Sequence, residues 1–153
     1  MTKAKTPVAI RPLARADFDA WAGLWTAYLE FYGTTLPDSI FTMTFNRMLG
    51  DDPRDFKALV AEHDGKLVGL THYLFHRHAW KITDVCYLQD LFVDPTVRGT
   101  GAGRALIEAV YKAADAQGAP TVYWLTQEDN ATGRQLYDRV GSLTPFIKYQ
   151  RPA

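Results

Sequence analysis

The residues best suited to chemistry are Arg98-Gly99-Thr100-Gly101-Ala102-Gly103-Arg104. Three glycines at alternate positions leave the main chain uncovered, so its N–H groups can approach a ligand closely. A helical pattern carrying Leu106, Ile107, Val110 and Ala114 grows directly out of this run. A helix start has unpaired N–H groups and the positive end of a dipole. Loop and helix start together form a site for an anion, above all a phosphate, with Arg98 and Arg104 adding charge on either side. Two familiar phosphate loops do not fit. The Gly-Lys-Ser/Thr ending of the P-loop is absent, and the dinucleotide pattern matches at Gly99 and Gly101 but meets Arg104 where a third glycine belongs.

Other reactive side chains carry less. Cys86, the single cysteine, lies in an apolar strand pattern and reads as a buried spectator. His76 and His78 are two apart and would share one face of a strand, but no third ligand accompanies them, so no metal is expected. Asp38, Asp51, Asp52 and Asp55 read as solvated caps and turns, or as a rim that draws in a cationic substrate. Tyr28, Phe31 and Tyr32 end an aromatic helix face that reads as core, with the option of lining a pocket.

The elements that must hold these groups follow from periodicity. Val8–Arg11 reads as a strand, and a helix then carries Phe18, Trp21, Leu24, Trp25, Tyr28, Leu29 and Tyr32 on one face. Phe41, Phe45, Met48 and Leu49 mark a second helix. Phe56–Ala61, Leu67–Phe75 and Ile82–Val93 form a meander, its first turn made by Asp64-Gly65. Within it, Gly69 signals a bulge or a close backbone approach. A helix over Gly101–Gln117 leads to a strand over Thr121–Thr126, a parallel crossover after the strand ending at Val93. A helix from Asn130 to Gly141 and a last strand over Pro145–Gln150 complete the chain.

Composition sets bounds. The 153 residues suit one domain, 1–153, with a real core. Seventeen basic and 17 acidic residues cancel, which argues against a nucleic-acid coat. No apolar run reaches membrane length, and the lysines near the N-terminus lack the apolar core of a secretory signal. The expected setting is the cytoplasm, with no nucleic-acid or membrane partner.

Arg98-x-x-Gly101-x-Gly103, following the strand Leu88-Gln89-Asp90-Leu91-Phe92-Val93, resembles the acetyl-coenzyme A loop of the GNAT N-acetyltransferase superfamily. A second segment, Asn130-Ala131-Thr132-Gly133-Arg134-Gln135-Leu136-Tyr137 with Gly141, is similar to that family's N-x-x-A/G-x-x-L-Y-x-x-x-G stretch. The likeness reaches back to Ile10-Arg11-Pro12-Leu13 and is weakest over residues 33–55, where such enzymes build acceptor sites.

The resemblance implies a mixed α/β fold: a central, mostly antiparallel sheet of six to seven strands with one parallel crossover, flanked by about four helices. It implies acetyl-CoA as acyl donor, no metal, and a small-molecule amine as acceptor, attacked directly in a ternary complex. The pyrophosphate would lie on the N–H groups of Arg98, Gly99, Thr100, Gly101, Ala102, Gly103 and Arg104. Main-chain groups of Leu91, Phe92 and Val93 would hold the pantetheine arm like an added strand. Asn130 would bond that arm, and Gly133 would keep the helix surface low beside it. Tyr137 would donate to the leaving sulfur. Polyamine-type members carry a glutamate where this chain has Gln89, so the base is open: Asp90 if a bulge re-aims it, Glu128, Asp129, or a water held by Gln89 and Tyr87. A non-catalytic acyl-CoA-binding module and an acetyltransferase for protein lysines or N-termini are the alternatives. A homodimer is expected, with the last strand as a contact.

Overall fold

A computed structural model describes residues 7–97 and 99–153. Five strands form one sheet in the order β1-β2-β3-β4-β5: β1 (Ala9–Pro12), β2 (Lys57–His63), β3 (Lys66–His76), β4 (Val85–Val93) and β5 (Val122–Tyr123). The first four pair antiparallel, and β4 with β5 is the parallel pair. Four α-helices flank the sheet: α1 (Phe18–Phe31), α2 (Asp38–Met48), α3 (Ala102–Ala116) and α4 (Ala131–Val140). The fold class agrees with the sequence reading, but the sheet has five strands among the described residues rather than six or seven. Residues 145–150 form no ladder among the described residues, and the strand expected over 121–126 pairs with β4 in a ladder at Val122 and Tyr123, the Thr121 carbonyl also accepting from the Cys86 N–H at 2.8 Å.

Sequence signals account for the local turns. Asp64 and Gly65 both take positive φ (51° and 75°), the twist a two-residue hairpin needs. Gly118, at φ 74°, ends α3. Asp17 precedes α1 without capping it. Its carboxylate instead receives the Ala14 N–H and both Nη groups of Arg11, tying β1 to the start of the helix.

The core has two sides. Trp21, Trp25, Phe45, Met48, Val60 and Leu70 pack α1 and α2 on one face of the sheet. Tyr73, Phe75, Leu88, Ile107 and Val110 pack α3 on the other. Ile107 and Leu106 are fully buried, each contributing on the order of 1.5–3 kcal/mol through burial. Gly69 marks a close approach: a Cβ there would lie 3.1 Å from both Leu106 Cδ1 and the Phe92 carbonyl oxygen. Lack of a side chain at Gly69 therefore sets how tightly α3 lies on the sheet.

A register shift between His72 and Tyr73 opposes them to Asp90 and Leu88, leaving Gln89 as the extra residue in β4. Simple alternation would send Leu88 and Asp90 to one face. The bulge instead leaves Leu88 with α3's core and places Asp90 against Tyr28 of α1.

Candidate active site

The site lies where β4 and β5 part. The strands are paired at Cys86–Val122 and Tyr87–Tyr123, and no ladder continues beyond. From Leu88 to Val93 the β5-facing side of β4 therefore has no strand partner among the described residues, although β3 pairs with its other side on both flanks of Gln89. This leaves Leu91, Phe92 and Val93 on an edge able to accept an extended, amide-bearing ligand. Tyr28, Tyr32, Leu88, Gln89, Leu91, Ile107, Trp124, Leu125 and Tyr137 line the cleft that opens there. The cleft draws side chains from both faces of the sheet.

Downstream of β4 a 3-10 turn (Pro95–Val97) leads into the glycine run. Gly99 and Gly101 take φ of 82° and 77°, and Gly101 is the residue before α3. Left-handed backbone at both positions explains why glycine stands there. No side chain among the described residues caps α3, and its first turn holds no acid. A helix start of this kind presents N–H groups that can meet an anionic ligand. Thr100 Oγ1 is turned back to the Val97 carbonyl at 2.9 Å, bracing the loop. Gly103 lets α4 approach, since a Cβ there would meet Leu136 Cδ2 at 3.1 Å. Arg104 is exposed and directed along the helix to Glu108 at 2.8 Å, so it does not bracket the loop in this conformation. Arg98 lies outside the described residues.

Tyr137 faces the cleft from α4, its ring edge-on to Trp124 at 5.6 Å. Burial pushes its hydroxyl above the ordinary tyrosine value, nearby Tyr32 adds to this, and the Thr126 hydroxyl opposes it. Trp124 is held in turn by Gly141, where a Cβ would fall 2.8 Å from Trp124 Cη2. Asn130 is engaged within the protein: Oδ1 accepts from the Gly133 N–H at 3.2 Å and Nδ2 donates to Thr126 Oγ1 at 3.0 Å. Gly133 has a reason of its own, because a Cβ would collide with the Asn130 amide.

Asp90, only 8% exposed, anchors a buried chain of hydrogen bonds. Tyr28 Oη donates to its Oδ1 at 2.8 Å, and His72 Nδ1 meets its Oδ2 at 2.8 Å. Trp21 Nε1 donates to His72 Nε2 at 2.9 Å, and Thr71 Oγ1 donates to the Asp90 carbonyl at 2.8 Å. Gln89 is exposed and lines the cleft. Glu128 and Asp129 are exposed before α4 and do not line it. Sequence reasoning missed His72 and Trp21. The available signal was a histidine inside the apolar run Leu67–Phe75, where a buried ring must find partners. Tyr28 and Tyr32 line the cleft, whereas Phe31 is 61% exposed.

His76 bonds the Tyr123 hydroxyl, and His78 packs on Trp80. Among the described residues no three metal-capable side chains gather as a metal site. Asp52 pairs with Arg54, and Asp38 is the first residue of α2, which has no side-chain hydrogen bond at its cap.

The site thus combines parted parallel strands, a glycine loop before α3 and a tyrosine on α4. The chain belongs to the acetyltransferase (GNAT) family, whose model matches residues 20–141. It is 35% identical over 145 residues to the D-amino-acid N-acetyltransferase HPA3 of Saccharomyces cerevisiae, covering 94% of this chain and 90% of that one. It is 30% identical to the uncharacterized N-acetyltransferase YhfO of Bacillus subtilis, covering 92% and 94%. Among solved structures, the aminoglycoside N-acetyltransferase AAC(6')-Iy in complex with CoA superposes with a TM-score of 0.83 at 18% identity, with 99% of each chain covered. A ribosomal-protein-alanine N-acetyltransferase from Brucella melitensis biovar Abortus 2308 gives 0.77 at 22%, covering 95% and 99%. The protein is an acetyl-CoA-dependent N-acetyltransferase.

Proposed function

We propose that this enzyme acetylates a primary amine of a small molecule, the amine attacking directly while donor and acceptor are bound together. The observation that carries this reading is the cleft itself: Tyr137 reaches it from the α3–α4 side and Tyr28 from the α1 side. The two reactants would enter from opposite faces and meet between β4 and β5. Cys86, the nucleophile a covalent route would need, is fully buried, and burial pushes its thiol up to about 11.

The residues fit acetyl-CoA, which supplies an acetyl group activated as a thioester. N–H groups of residues 99–104, with Arg98, would hold its pyrophosphate, and the edge of Leu91, Phe92 and Val93 would hold its arm. The Leu91 N–H is the candidate group for polarising the thioester carbonyl. Tyr137, like any tyrosine, is a phenol at neutral pH, and burial raises it further, so it can donate to the leaving sulfur. Asn130 and Gly133 shape the α4 end of that channel.

The acceptor class rests on the lining of the cleft. Three tyrosines face it, with Asp90 behind Tyr28, and no lysine or arginine lines it among the described residues. Aromatic faces and a rear carboxylate favour a cationic amine. The relative that acts on D-amino acids makes α-amino acids a required part of any acceptor panel. Incubation with acetyl-CoA and a panel of polyamines, amino acids, aminoglycosides and lysine peptides, read by mass spectrometry, tests the reading. Acetylation of peptides alone would replace the small-molecule acceptor by a protein.

The same reading includes a homodimer in the cytoplasm. Leu143, Phe146, Ile147 and Tyr149 are 76–88% exposed on a segment with no ladder partner, which supports burial against a second copy. Sedimentation of the intact chain tests it: a monomer at micromolar concentration removes the dimer.

A further inference from the structure

Trp21 Nε1 can only donate a hydrogen bond. His72 Nε2, 2.9 Å away, must therefore accept, which leaves the ring proton on Nδ1. That Nδ1–H donates to Asp90 Oδ2 at 2.8 Å, while Tyr28 Oη–H donates to Oδ1 at 2.8 Å. Asp90 is thus a buried carboxylate fed by two neutral donors, and no lysine or arginine among the described residues pairs with it. Burying a carboxylate without a cation is costly unless something compensates. Of the two donors, Tyr28 is the one that lines the cleft. A phenol that donates one hydrogen bond keeps a lone pair free to accept another.

We infer that Tyr28 and Asp90 form the proton-removing arm of this site, Tyr28 taking a proton from the incoming ammonium as it passes its own to Asp90, with His72 and Trp21 positioning the carboxylate. This rests on the transferase reading above and supplies the base that Gln89 cannot be. The balance is simple. An N–H bond of the ammonium breaks and leaves its electron pair on nitrogen. A new O–H bond forms at Tyr28 Oη while the former Oη proton bonds to Asp90 Oδ1. The result is a neutral amine, a neutral Tyr28 and a protonated Asp90, with no change of oxidation state. The proton returns to solvent by the reverse path once product has left. Burial and the Asp90 charge hold the Tyr28 phenol well above its ordinary value, so it relays a proton without resting as a phenolate. The titratable groups facing Asp90 are Tyr28 and Tyr32 from α1, His72 from β3 and Tyr87 from its own strand. The bulge at Gln89 makes the arrangement possible by turning Asp90 to the α1 side.

The test compares wild type with Tyr28→Phe and Asp90→Asn, using two acceptors found in the amine panel: an alkylamine charged at neutral pH and a weakly basic amine already neutral there. Both variants should lose roughly 100-fold or more in kcat/KM on the charged amine, the scale of one general base, and less than about threefold on the neutral one. The neutral-amine result separates a base from a merely structural role, because a damaged site would lose both activities. Calorimetry of the charged amine without acetyl-CoA gives a second readout: Asp90→Asn should weaken binding far more than Tyr28→Phe. If Asp90→Asn does not fold, Tyr28→Phe decides, since its ring is kept. Equal losses on both amines, or full activity of Tyr28→Phe on the charged amine, overturn the relay. A wild-type chain that acetylates no amine overturns the transferase reading and the relay with it.

Discussion

The Trp21 indole donates to His72 Nε2 at 2.9 Å across 51 residues of sequence, and both rings are buried to within 2%. This bond fixes which nitrogen of His72 carries the proton and so sets the geometry at Asp90. Trp21→Phe would leave a buried ring nitrogen without its donor, a cost of about 1–3 kcal/mol before any loss of packing. The denaturant midpoint measures it, and ¹⁵N shifts of wild-type His72 should report protonation at Nδ1.

Gly101 stands at φ 77° immediately before α3. Gly101→Glu puts a negative side chain where the pyrophosphate is proposed to lie and should abolish CoA binding by calorimetry. Gly101→Ala is the control for backbone strain, on the order of 1–2 kcal/mol of stability, with measurable CoA affinity retained. Unchanged affinity in Gly101→Glu would remove the loop from the cofactor site.

Tyr137→Phe removes the proposed donor to the leaving sulfur and keeps the ring against Trp124. It should lower kcat tenfold or more, about 1.4 kcal/mol of barrier, with CoA affinity nearly unchanged. An unaltered kcat excludes Tyr137 from the chemical step.

Gly141→Ala tests support at a distance. The new Cβ would press on Trp124 at 2.8 Å, and Trp124 sets the Tyr137 ring. The variant should lose about 1–3 kcal/mol of stability by overpacking and lower kcat as well. Thermal unfolding and steady-state rates on the same preparation check both.

Much of this could be read from the chain because it is local. Gly99, Gly101 and Gly118 announce backbone that only glycine adopts freely, and Asn130 with Gly133 announces a cap. The Asp90 chain was legible only in part: Asp90 could be named on condition of a bulge, but no pattern of alternation reveals the extra residue in β4 or the partners His72 and Trp21. Residues 145–150 carry a strand pattern, but a strand needs a partner, and the described chain offers none. Arg104 shows a related limit: its charge suited a phosphate, yet Glu108 one turn on competes for it.

The ion pair at the start of the fold gives a pH signature. Asp17 titrates below its ordinary 3.8 because Arg11 hydrogen-bonds it, with the Ala14 N–H assisting and burial opposing. A folded value below the unfolded one gives stability that is complete above 3.8 and is lost as pH falls through the folded value. Asp17→Asn should therefore be less stable than wild type at neutral pH, by about 1 kcal/mol. That gap should close in acid, as urea unfolding at the two pH values will show.

The most direct measurement is product analysis by mass spectrometry after wild-type enzyme meets acetyl-CoA and the amine panel. An N-acetylated small amine should form one for one with free CoA, at a rate that falls when Tyr137 becomes phenylalanine. No acetylated small amine in any reaction, with CoA nonetheless bound, would contradict it.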